Sequence, residues 1–67
     1  MVHFEQETTG LIKVYDEDGF ICGEIQLLDE SYQYQQGSDI FVHPVELRAI
    51  ADKVELLNAQ LNEGKVN

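Results

Sequence analysis

Three side chains in this chain have the chemistry to bind a transition metal or to form a nucleophile pair: His3, Cys22 and His43. A zinc site needs ligand pairs at short, recognisable spacings, and none occurs here. Cys22 with His43 would act as a nucleophile and base only if their strands were neighbours. A small buried hydrophobe is the better reading of Cys22, and a residue capping a helix start is the better reading of His43. Asp16-x-Asp18-Gly19 has the flavour of a calcium loop, but an EF-hand places glycine at position six and glutamate at twelve. Acids and glycine are ordinary turn formers, so this is read as a turn. No glycine-rich phosphate loop or serine nucleophile motif is present. The expectation is a non-enzymatic protein with no cofactor and no metal.

The remaining chemistry is that of contact. The net charge is −9, and it is unevenly spread. Residues 1–43 hold nine acids and one base, Lys13, whereas residues 44–67 are nearly balanced. Such a field repels phosphate backbones and attracts basic surfaces, although solubility alone would also account for it. Nucleic acid is therefore a disfavoured partner and a basic protein a favoured one. With one cysteine there is no internal disulfide, and a reducing compartment is expected. No apolar run is long enough to span a bilayer, and Met1-Val2-His3-Phe4-Glu5 does not look like a signal peptide. The expected location is the cytoplasm, with no membrane contact.

The elements that position these groups follow from periodicity. The chain of 67 residues makes one domain, and 43% hydrophobic content suffices for a core. Residues 2–7 alternate as a strand, Leu11–Tyr15 is a second, and Phe20–Leu28 is a third. Asp18-Gly19 marks a hairpin turn between the last two. Gly23 inside the third strand signals a bulge or a close backbone approach. Tyr32–Gln35 is a short strand or an ordered loop. Ile40–His43 has high β-propensity and is read as a further strand.

Pro44 opens a helix running to about residue 62, with Glu46 in its first turn and Gly64 as its stop, beside Lys65. Leu47, Ile50, Val54, Leu57 and Leu61 form its apolar stripe. The same residues form a heptad seam, and Val45, Ala49 and Leu56 a second line, so the helix is a wide core stripe or a homodimer contact. The fold class is α+β: a small antiparallel sheet or partly open barrel of four to five strands, followed by one C-terminal amphipathic helix.

Strand parity divides the sheet. Val2, Phe4, Ile12, Val14, Ile21, Ile25, Leu27, Ile40 and Val42 make the core face. Lys13, Tyr15, Phe20, Cys22, Glu24, Gln26, Phe41, His43, Glu5 and Glu7 make the other. Clustered exposed rings mark a contact surface. The expected partner-binding residues are Tyr15, Phe20, Phe41, His43, Glu5, Glu7 and Glu24. Tyr32 and Tyr34 join them either as contact rings or as a half-buried strand edge.

Thr9-Gly10-Leu11-Ile12-Lys13-Val14-Tyr15-Asp16, Gly19-Phe20-Ile21 and Asp39-Ile40-Phe41-Val42-His43 together resemble the first three strands of the cold-shock domain. The resemblance covers about half the chain. It implies a five-stranded barrel that stacks single-stranded nucleic acid on Lys13, Tyr15, Phe20, Phe41 and His43. The chain departs from that family at Cys22, where the family has a ring, and at Asp18, where it has a base. It also has a helix in place of the last two strands. The leading expectation is an acidic protein-interaction module of the kind that phages and mobile elements direct at nucleic-acid-binding proteins. The alternatives are a divergent single-strand binder and a structural homodimer.

Overall fold

A computed structural model describes residues 1–64, so Lys65 lies outside the described residues. Four strands precede one helix: β1 His3–Thr8, β2 Leu11–Tyr15, β3 Ile21–Leu28, β4 Ser31–Gln36 and α1 Pro44–Glu63. The strands lie side by side in chain order and all pairs are antiparallel. The sheet is open, with β1 and β4 as its two edges. No described helix is long and apolar enough to cross a membrane.

Local chemistry sets the turns. Gly10 and Gly19 take positive φ (82° and 88°), which glycine adopts without steric cost. The β3–β4 turn instead uses Asp29 and Glu30, at φ 49° and 69°, between the paired residues Leu28 and Ser31. Two successive left-handed residues give the hairpin turn whose twist matches its flanking strands.

Sheet and helix meet in one core. Ile12, Val14, Cys22 and Ile25 from the sheet and Ile50 from α1 are buried. Val2, Phe4, Tyr32, Tyr34, Ile40, Val42, Val54 and Leu57 pack around them. Lys53 Nζ lies 5.5 Å from the centre of the Phe4 ring on β1, and Asn58 bonds to Tyr32 on β4. These contacts place α1 across one face of the sheet. Of the expected stripe, Ile50, Val54 and Leu57 face the sheet, Leu61 is half-buried and Leu47 is exposed. Val45 and Leu56 are exposed as well. A second copy docking on the helix would have to use Val45, Leu47 and Leu56.

Two expectations are corrected. Ile40–His43 is not a strand. Asp39 turns the chain with φ 58°, and the Gln36 side chain donates to the Ile40 carbonyl at 2.7 Å. The segment then runs on towards the helix without a neighbouring strand. Ile40 and Val42 pack on the core while Phe41 is exposed, so the alternation records burial rather than pairing.

The second correction is one of parity. Val14 pairs with Gly23, but Tyr15 pairs with Ile21, so Cys22 is the extra residue of a bulge. A bulge reverses side-chain alternation beyond it. Cys22 therefore lies in the core at 1% exposure, and Ile21 is exposed at 42%. A second bulge, between Gln6 and Thr8, leaves Glu7 without a ladder partner. Leu27, expected inside, is only partly covered.

Candidate interaction surface

The face opposite the helix is built from cross-strand rows. Glu5, Lys13, Glu24 and Gln35 lie in register across all four strands. Lys13 Nζ is 3.6 Å from Glu24 Oε2, so the one base of this half is held by an acid. His3, Tyr15 and Ile21 form the next row. The His3 and Tyr15 rings are 6.2 Å apart and tilted by 43°, and His3 Nε2 is 3.7 Å from Glu5 Oε2.

Beyond this row the chain turns through Asp16–Phe20. Asp16 organises the turn. Its Oδ1 accepts hydrogen bonds from Asp18 N–H and Phe20 N–H, both at 2.9 Å, and its carbonyl accepts from Gly19 N–H at 3.0 Å. The carboxylate thus serves the main chain, as a turn aspartate does. Phe20 follows at the edge of this turn with 71% of its surface exposed.

A shallow depression of about 460 Å³ opens between the turn and the His3 row. Met1, His3, Glu5, Tyr15, Asp16 and Glu17 line it. The terminal amine of Met1 pairs with Glu17 Oε2 at 2.9 Å, and this contact holds the Glu17 carboxyl below its usual range. An adjoining depression of about 290 Å³ shares Met1 and Glu17 and is more apolar, with Val2, Val45 and Ala49 in its walls. One end of the molecule therefore combines carboxylates, rings and aliphatic surface.

Comparison with protein-family models, with curated proteins and with solved structures gives no match.

The structure distributes the expected contact residues unevenly. Glu5, Lys13, Tyr15 and Glu24 share the open face, with Phe20 in the adjoining turn. Phe41, 95% exposed, lies in the segment before the helix. His43 is the N-cap of α1, its N–H donating to the buried Glu46 carboxylate at 3.1 Å. Tyr32 and Tyr34 are half-buried against the core, on the opposite side from Tyr15. Glu7 is exposed at its bulge.

Cys22 is interior, and burial pushes its thiol pKa up, with Asp16 and Glu46 adding to the rise. Among the described residues no three His, Cys, Asp or Glu side chains converge to hold a metal ion. In the sequence Asp16 and Glu17 read as turn residues only. Their signal was proximity to Tyr15 in a hairpin that returns to the same face.

Proposed function

We propose that this chain is a non-catalytic interaction module that presents its acidic, ring-bearing end to a basic protein. The observation that carries this reading is the depression lined by Glu5, Asp16 and Glu17 beside the exposed Phe20. Carboxylates around such a depression steer and orient a basic partner, while burial of a phenylalanine contributes roughly 1.5–3 kcal/mol. By analogy of size and charge, the partner class is a nucleic-acid-binding protein whose cleft accepts carboxylates in place of phosphates.

The test is capture of purified basic nucleic-acid-binding proteins on the immobilised chain, across a salt series and with duplex DNA as competitor. Retention should fall with salt and with DNA, and Phe20→Ala and Phe41→Ala should each weaken it about tenfold, the equivalent of 1.4 kcal/mol. Neither ring is buried, so neither variant should unfold the chain. Failure to retain any of these basic proteins at low salt, or retention indifferent to salt and to DNA, would reject the proposal.

A second reading is supported by Lys13, Tyr15 and His3 sharing one open sheet face. A base-stacking platform uses residues of these types. It predicts tyrosine quenching by short single-stranded oligonucleotides at moderate salt, and the absence of quenching there would remove it.

A further inference from the structure

Antiparallel strands alternate between residues whose N–H and C=O both turn to one neighbour and residues that turn to the other. Two bonds fix this alternation here. Leu27 N–H donates to the Gly10 carbonyl at 2.9 Å, and Gly37 N–H donates to the Cys22 carbonyl at 2.8 Å. Carried through the registers, Ile12 and Val14 turn their main chains to β3, and Lys13 and Tyr15 turn theirs to Glu5 and His3 on β1. Phe4 and Gln6 then face outward from the β1 edge. The same count turns Tyr32, Tyr34 and Gln36 outward from β4.

The two edges are finished differently. On β4, Asn58 occupies the Tyr32 position with one bond of 2.6 Å and one of 3.1 Å. The Gln36–Ile40 bond holds the following segment against the far end, and the strand carries no charged residue. On β1, no strand among the described residues pairs with the outer edge. Its flank is acidic: Glu5 and Glu7 are exposed, and Lys13 is already paired with Glu24.

We propose that the β1 edge accepts an extended basic segment of the partner as a fifth strand. This rests on the reading of the chain as a module for a basic protein and specifies how it docks. Phe4 and Gln6 supply the main-chain donors and acceptors, which carry affinity without regard to sequence. Side chains of the added strand alternate, so lysine or arginine at every second position lies beside His3 and Glu5, near the acidic depression. A second copy of this chain fits poorly, because β1 against β1 would set Glu5 and Glu7 of one copy near those of the other.

The experiment is amide hydrogen exchange on the labelled full chain with three probes. These are an alternating lysine–valine peptide, its two forms N-methylated on one or the other alternate set of amides, and an alternating glutamate–valine peptide. In the free chain the Phe4 and Gln6 amides should exchange quickly. The lysine peptide should slow both by about tenfold or more. One methylated set should abolish this and the other spare it, and the glutamate peptide should do nothing. Glu5→Lys should lose the lysine peptide.

Binding that shifts Glu5, Asp16 and Glu17 without slowing Phe4 and Gln6, and that tolerates both methylated sets, overturns strand addition and leaves the acidic module standing. Absence of lysine-peptide binding at low salt also overturns strand addition, while the capture experiment judges the wider reading separately. Protection that rises with chain concentration alone would assign the edge to a second copy and overturn the proposal.

Discussion

The carboxamide of Asn58 meets both main-chain groups of Tyr32: Tyr32 N–H donates to Asn58 Oδ1, and Asn58 Nδ2 donates to the Tyr32 carbonyl. It thereby does for one residue of β4 what a neighbouring strand would do. Removing it leaves a partly buried donor and acceptor unpaired, which costs about 1–3 kcal/mol. Asn58→Ala should lower the unfolding free energy measured in urea by that amount. Asn58→Asp keeps the acceptor but sets a carboxylate oxygen against the Tyr32 carbonyl in place of the donor, so it should not recover the loss.

Gly23 is fixed by what passes over it. A Cβ there would meet the Gln35 carbonyl oxygen and lie 2.8 Å from the Tyr34 hydroxyl. Overpacking of this kind costs about 3 kcal/mol when backbone must move. Gly23→Ala should show that loss in denaturant unfolding, whereas Gly19→Ala, where nothing is within 4 Å, should suffer only from its left-handed backbone.

The Asp29-Glu30 turn holds two residues in a conformation that disfavours side chains by about 1–2 kcal/mol each, least for aspartate and asparagine. Replacing the pair by Asn-Gly should raise the urea midpoint, by about 1 kcal/mol in stability. A midpoint unchanged or lowered would show that the native pair contributes contacts that outweigh the strain.

Cys22 should resist thiol reagents in the folded chain and react on unfolding, because the thiolate is the reactive form and burial disfavours it. The pH dependence follows. Its folded pKa is raised, so its contribution is complete below the unfolded value of about 8.5 and is lost as pH rises towards the folded value. Burial raises the Tyr34 hydroxyl too, with Cys22 adding to the rise, which extends the loss into more alkaline solution. Unfolding midpoints should therefore decline above about pH 8.5, less steeply in Cys22→Ala.

Much of this architecture was legible in local signals. Pro44 and the Leu47–Leu61 stripe foretold α1, and Asp18-Gly19 foretold the β2–β3 turn. The misreadings share a cause. Alternation along a strand shows which side chains want burial, but not whether a neighbour supplies a ladder or where an extra residue is inserted. Ile40–His43 alternates without pairing, and the bulge at Cys22 reverses the parity of Ile21. Gly23 signalled a bulge or a close backbone approach, and both occur here, yet only the register with Val14 and Tyr15 shows that Cys22 is the extra residue. Asn58 carried a faint signal, being a poor helix former in mid-helix. Its partner is 26 residues away, beyond the reach of periodicity.

The strand that Asn58 closes off, Ser31-Tyr32-Gln33-Tyr34-Gln35-Gln36, is uncharged and free of proline and glycine. Segments of that composition are prone to assemble into fibrils when their edges are bare. The helix thus works as a guard as well as a lid, and a chain shorn of its last turns would be expected to aggregate before it lost its sheet.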